Sequence, residues 1–230
     1  MKLSVFFPAF NEEQSIETTV RRALGILRGL GKVEEFEIIV VNDGSTDRTG
    51  EIADRLASKI SEVRAVHHQA NRGYGGALKT GFKEAQFKWI AFTDSDGQFD
   101  FSEVTKFLDK TDEADLVLGY RLGRADSTLR CLCTWGWSLL ARIIFGLSVR
   151  DYSCGFKLIK REVFEAVQPL VGEEKVTQIE LLVKARRKGF KFAEIGVHHY
   201  PRLAGIQTGA NSHVVLKSLH DLLALWRRLR

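Results

Sequence analysis

The chain has 230 residues, long enough for one sizeable α/β unit, and its 44% apolar and 27% charged residues are those of a globular protein rather than a disordered one. No apolar run reaches the roughly 18 residues a membrane-crossing helix needs; WGWSLLARIIFGL at 135–147 is too short and contains Arg142. The net charge of +5 conceals an asymmetry, because residues 1–120 carry 15 Lys and Arg against 20 Asp and Glu, whereas residues 121–230 carry 19 against 9. The front half is therefore acidic and the back half, at +10, is the one expected to meet an anionic partner. Nucleic acid is disfavoured as that partner, since basic motifs interleaved with aromatic residues are absent. Three Cys, an odd number, with no signal peptide argue for a reducing, cytoplasmic setting. Cys131 and Cys133 have no His or Cys pair at zinc-site spacing, so all three thiols read as packing residues.

In chain order, LSVFF (3–7), EIIVV (37–41), VRAVH (63–67), WIAF (89–92) and ADLVLG (114–119) are short apolar runs that predict strands buried on both faces. Helical periodicity occupies about 13–30, 47–60, 75–86 and 102–110 between them, the second opening on STD, side chains suited to a helix N-terminus. This alternation predicts βαβ units and a mostly parallel sheet with helices on both faces. The back half is less regular: a helix at about 127–146, a strand in SCGFKLIK (153–160), a helix at 177–188, a strand near 191–197, a turn-rich loop at 198–211 and a final helix at 213–229. No repeat or linker interrupts it, so a single domain over 1–230 is expected, with a basic helical C-terminal part.

The four loops that follow the first four strands are PAFNEE, NDGSTD, HQANRGYGGALKTG and TDSDGQF. In a parallel sheet they share one edge, where ligands bind. Neither a dinucleotide-binding glycine signature nor a Walker A sequence is present. In the fourth loop Asp94 and Asp96 stand one residue apart just past a buried strand. By itself the pair is open to two readings, a solvated turn or a site for a hard divalent cation that takes oxygen ligands and bridges to phosphate. The pairs His67–His68 and His198–His199 cannot each chelate one metal, because neighbours on a strand point to opposite faces. They read as loop residues, with His199 or Tyr200 placed to touch an acceptor.

Taken together, PAFNEE, VVNDGSTDRT, NRGYGGALKTG and DSDGQF resemble the nucleotide-sugar half of family 2 glycosyltransferases with the GT-A fold. GYR at 119–121, Arg130, DYSCGFKLIKREVFE and HHYPRLAG resemble the dolichol- and polyprenyl-phosphate branch, the group that includes the dolichol-phosphate mannosyltransferases. The resemblance covers nearly the whole chain, and its motifs are specific as a set. It implies a nucleoside pocket lined by Pro8, Phe10 and Glu12, with Glu12 on ribose hydroxyls and Asp43 accepting from the base. Gly73, Gly75 and Gly76 would let the backbone approach the donor. Asp94, Asp96 and Gln98 would hold Mg²⁺ or Mn²⁺ and, through it, the diphosphate, with Asp96 in the catalytic set. Arg121, Arg130 and Arg202 match basic positions suited to donor and acceptor phosphates. The implied donor is GDP-mannose or a UDP-hexose, and the implied acceptor is dolichyl or polyprenyl phosphate. The resemblance also implies work at the cytoplasmic face of a membrane, with a membrane partner subunit as an option.

The acceptor side departs from the family pattern: Thr134 stands where Ser is common, and LAGIQTGAN follows Arg202. Two other readings stay open, transfer to a saccharide or protein hydroxyl, which needs a general base, and non-catalytic binding of a sugar nucleotide. In the last helix Val215, Leu219, Leu222, Trp226 and Leu229 form one apolar stripe. It predicts either docking on the protein's own sheet or an interfacial helix among lipid headgroups.

Overall fold

Strand β1, Lys2–Ala9, buries every residue after Lys2, which places it inside a sheet rather than at its rim. The computed structural model describes residues 1–123, 136, 139–172, 176–202 and 212–229, with side chains of the last helix from Asp221 onward. The other strands are β2 (Glu35–Asn42), β3 (Val63–His67), β4 (Trp89–Phe92), β5 (Leu116–Leu122), β6 (Lys157–Lys160) and β7 (Phe192–His198). They form one seven-stranded sheet in the order β3-β2-β1-β4-β6-β5-β7. Five of the predicted runs and the strand near 191–197 are parallel members of it, while β6 runs antiparallel between β4 and β5. β6 is also shorter than the predicted 153–160, because residues 151–156 turn across the sheet edge and bind side chains there.

Alternation along each strand divides the apolar residues between two layers. Leu3, Val5 and Phe7 of β1 face one layer, packed with Ile16, Val20, Ala23 and Leu27 of α1 (Ile16–Gly29) and Ile52, Ala53 and Leu56 of α2 (Thr49–Lys59). The short α4, Val104–Leu108, entered through a single 3₁₀ turn, completes that layer with Phe107 stacked on Phe156 at 4.4 Å. Phe6 faces the opposite layer, with Phe82 of α3 (Gly73–Glu84) at 5.1 Å and Phe92 at 5.2 Å. There α5 (Arg161–Ala166), α6 (Val176–Arg187) and α7 (Ser212–Leu229) cover the sheet, along with helical residues 139–145. Helices therefore lie on both faces, as the strand and helix alternation predicts. α5 is a six-residue helix missing from the sequence reading, too short to show a period.

The predicted boundaries shift for local reasons. α1 begins at Ile16 rather than 13, because residues 12–15 form a turn in which Ser15 and Ile16 both donate to Glu12 O. In STD it is Asp47 that caps α2, accepting from Thr49 N at 2.9 Å. Where its side chains are described, from Asp221 onward, the last helix docks inward: Leu222 of the stripe is fully buried, Leu229 packs against the core, and Leu225 beside them is nearly buried. Val215 and Leu219 lie outside the described side chains, as do all of Arg130, Cys131, Cys133 and Thr134.

Candidate active site

Parallel strands deliver their carboxyl ends to one edge, so the loops after β1, β2, β3 and β4 converge there, joined by the ends of β5 and β7 and the start of β6. The first two loops are laced together by side chains from NDGSTDRT. Ser45 Oγ accepts from Asn11 N at 3.0 Å, Asn11 Oδ1 accepts from Thr46 N at 2.8 Å, Asp47 accepts from Glu13 N, and Thr49 Oγ1 accepts from Glu12 N at 2.8 Å. This lacing fixes Glu12 beside an exposed Phe10, while Pro8 is buried within β1.

The fourth loop is tied down at its centre. Ser95, buried between the two aspartates, donates to Pro8 O at 2.8 Å, and its own carbonyl accepts from Thr19 Oγ1. Asp96 Oδ1 accepts from Gln98 N at 3.1 Å, and Asp94 Oδ1 accepts from the Tyr74 hydroxyl at 2.9 Å. Asp94 lies so close to Gly155 that a Cβ there would sit 2.2 Å from its Oδ2, so any larger residue would displace the carboxylate. Gly73 opens α3, its N–H donating to Asn71 Oδ1, and carries Tyr74 to the carboxylate.

Burial and the charge of Asp94 push the Asp96 carboxyl up to about 7, against the opposing pull of Gln98 N and Arg202. Burial likewise raises Glu12, opposed by Ser15 and Arg202. The counter-charge is Arg202, whose guanidinium binds Glu12 Oε1 and stands 3.9 Å from Asp96 Oδ2. Arg202 thus faces Glu12 and Asp96, with the charge of Asp94 beside Asp96, so negative charge is in excess and the Asp94–Asp96 pair is a donor set suited to a hard cation. Among the described residues no third acidic, His or Cys ligand completes a cage for a metal. That fits Mg²⁺ or Mn²⁺, which are usually held by one or two carboxylates with water and substrate phosphate supplying the rest.

The remaining predicted residues are distributed unevenly. Gln98 donates from Nε2 to Tyr200 O and clamps the loop carrying Arg202, which leaves its carbonyl oxygen as the atom able to face a cation. Asp43 is buried and accepts at Oδ1 from His68 Nδ1 at 2.6 Å and Arg72 N at 2.9 Å. Arg121 is a buried partner of Asp151, with contacts of 2.7 and 3.0 Å and a further bond to Ser153. In this structure its guanidinium is paired with Asp151 and bonds the 151–153 turn. Arg130 lies outside the described residues.

Four residues not read as site residues from the sequence belong here: His68 behind Asp43, Tyr74 and Gly155 around Asp94, and Lys157 beneath them. His68, read as a loop residue, is 4% exposed and joins Asp43 to Thr80 Oγ1. A tyrosine inside the glycine-rich NRGYGG stretch was the one visible signal for Tyr74.

A family model, glycosyl transferase family 2, matches residues 4–168. The chain belongs to glycosyl transferase family 2. Among curated relatives of this family 2 chain, glycosyltransferase AglD of Haloferax volcanii is 34% identical over 88% of the chain but 34% of its own length. The dolichyl-phosphate beta-glucosyltransferase of Dictyostelium discoideum is 30% identical over 85% of the chain and 65% of its own length. The undecaprenyl-phosphate mannosyltransferase of Micrococcus luteus is 29% identical, covering 89% of the chain and 86% of that protein. The chain thus spans only part of the first two. In fold it is similar to glucosyl-3-phosphoglycerate synthase of Mycobacterium tuberculosis, solved with Mn²⁺, UDP and phosphoglyceric acid: TM-score 0.77, 21% identity, 98% of this chain and 78% of that one. The GT-A architecture expected from the loop motifs is the one observed.

Proposed function

We propose that this chain is the catalytic part of an inverting, metal-dependent transferase that moves a hexose, mannose or glucose, from a nucleotide-sugar onto dolichyl or polyprenyl phosphate. The observation that carries this reading is the Asp94–Asp96 pair at the carboxyl edge of the sheet, with Arg202 facing Asp96 and Glu12. Relatives named for dolichyl or undecaprenyl phosphate and matching 85–89% of the chain support the acceptor.

Asp94 and Asp96 would hold Mg²⁺ or Mn²⁺, with the Gln98 carbonyl beside them. When bound, such a cation neutralises the charge that develops on the departing nucleoside diphosphate. The chain's own residues do the rest. Glu12 takes ribose hydroxyls, Phe10 and Pro8 line the nucleoside pocket, and Asp43, steadied by His68, accepts from the base. A phosphate monoester is already anionic near neutral pH, so its oxygen can attack the anomeric carbon with no base to deprotonate it, on the face opposite the leaving diphosphate. What the protein must supply is placement and relief of repulsion between two phosphates, a task for Arg202 and Arg130.

The site of action in this proposal is the cytoplasmic face of a membrane, with or without a membrane partner subunit. Among the described residues no helix is long and apolar enough to cross a bilayer. Support for surface contact comes from Ile143, 71% exposed, and Leu139, 39% exposed, one helical turn apart beside Arg142. The test is a donor panel of GDP-mannose, UDP-glucose and UDP-N-acetylglucosamine with a short polyprenyl phosphate and Mg²⁺ or Mn²⁺, read as nucleoside diphosphate release and lipid-linked sugar. Equal use of free polyprenol would replace this reading with a hydroxyl-acceptor enzyme, and nucleotide binding without turnover would leave a sugar-nucleotide binder.

A further inference from the structure

We propose that Lys157, Gln178 and Tyr74 form a one-way hydrogen-bond chain that holds the Asp94 carboxylate in position for a divalent cation; this rests on the metal-dependent reading above. Lys157 opens β6, paired with Phe92 of β4, two residues before Asp94. Its side chain is 1% exposed, with the ammonium 5.7 Å from the centre of the Phe92 ring and bonded to Tyr152 O, Cys154 O and Gln178 Oε1. Gln178, on α6 and 4% exposed, donates from Nε2 to the Tyr74 hydroxyl at 3.3 Å. Tyr74 donates to Asp94 Oδ1 at 2.9 Å.

Donor and acceptor chemistry permits one direction only. An ammonium can only donate, so it must face the carbonyl oxygen of Gln178 and thereby sets which way the amide points. The amide N–H then points at Tyr74, whose oxygen is occupied as an acceptor and whose single proton goes to the carboxylate. Asp94, an acceptor, ends the chain. On its other side Gly155 leaves no room for a Cβ against Oδ2, so the carboxylate is held between a hydroxyl and a bare backbone. Four elements, β6, α6, α3 and the loop after β4, are joined through the buried Lys157 and Gln178 and the half-buried Tyr74. None of these three side chains is needed to touch a substrate. They are positioning residues, and outer partners of this kind set metal affinity by roughly 10- to 100-fold.

The variants are Tyr74→Phe, which removes the last proton of the chain, and Gln178→Glu, which keeps an acceptor for Lys157 but offers Tyr74 no donor. Free Mn²⁺ is followed by electron paramagnetic resonance as it is titrated into protein alone and with UDP or GDP, beside thermal unfolding without metal. The expected result is Mn²⁺ affinity lower by about tenfold in both variants, with metal-free unfolding within a few degrees of the parent and uridine or guanosine affinity unchanged. A merely structural role makes Gln178→Glu, with its new ion pair to Lys157, bind Mn²⁺ as the parent does. That outcome overturns the inference while leaving the metal site standing, whereas parent protein that binds no Mn²⁺ at all removes both.

Discussion

A carboxyl pushed up to about 7, as Asp96 is by burial and Asp94, takes up a proton in the range where it would also take a cation. The folded chain holds that proton to higher pH than an unfolded Asp, which titrates near 3.9. The unfolded state therefore binds fewer protons between about 4 and 7, and Asp96 lowers stability progressively as pH rises through that window, then by a constant amount above it. Metal-free protein should accordingly gain stability from this group on acidification from pH 8 to 6, while Mn²⁺ affinity rises up to about tenfold per pH unit below 7 and levels off above it. Isothermal titration across pH 5.5–8.5 checks this, and an Mn²⁺ affinity independent of pH would sink the assignment of Asp96. At Arg121 the expectation is one of stability. Arg121→Ala breaks a buried ion pair with Asp151 and should cost about 3–5 kcal/mol in urea unfolding, more than loss of a solvated arginine would. Arg202 differs again, since it touches Glu12 and Asp96 on the donor side. Arg202→Ala should weaken donor affinity as well as acceptor use, each charge-assisted contact being worth roughly 1.5–3 kcal/mol.

Individual elements carry their own tests. α7 presents Leu222 to the core and leaves Leu223 49% exposed, so two adjacent leucines should behave oppositely. Leu222→Ala should cost about 2–5 kcal/mol, and Leu223→Asp should stay within about 0.5 kcal/mol, both read by denaturant midpoint. If the exposed face at Leu139 and Ile143 meets lipid, Ile143→Asp should reduce co-sedimentation with anionic vesicles, whereas Leu223→Asp leaving it intact separates that face from α7. Helix α3 approaches β1 through Gly81, where a Cβ would lie 2.3 Å from the Phe6 ring. Gly81→Ala should therefore destabilise by about 1–3 kcal/mol, and a neutral result would mean that α3 can slide on the sheet.

At the scale of the whole molecule, one sheet edge gathers residues far apart in sequence: Glu12 with Arg202, Asp94 with Tyr74 and Gly155, Asp43 with His68. Antiparallel β6 makes this possible, because its start, not its end, lies at that edge and brings Gly155 and Lys157 under Asp94. A ligand that binds only the folded state stabilises it by mass action, by about 2.7 kcal/mol at a concentration one hundredfold above its dissociation constant. Mn²⁺ with the preferred nucleoside diphosphate should raise the unfolding midpoint of the parent, and Asp94→Ala should abolish that rise.

The strands, most of the helices and the loop edge were legible in the chain because they depend on local pattern: alternating apolar runs, a 3.6-residue period, and polar loops after each strand. β6 was legible as a strand within 153–160 but its direction was not, since that is set by its neighbours, and α5 was missed because it is shorter than two helical turns. Asp94 and Asp96 could be picked out as candidates from residue type and spacing, and Glu12 and Asp43 from the resemblance of their loops to the family. Their partners could not. Tyr74, His68, Gly155, Gln178 and Lys157 acquire their roles from contacts across 12 to 104 positions of sequence, and no local pattern encodes such distances. Arg121 shows the same limit from the other side: as a residue it suits phosphate, but the fold buries Asp151 and Ser153 against it. The sequence by itself determined which chemistry is available at the sheet edge. Tertiary structure alone decided which charges are left to a ligand and which are neutralised within, because that depends on burial and on the partner each charge meets.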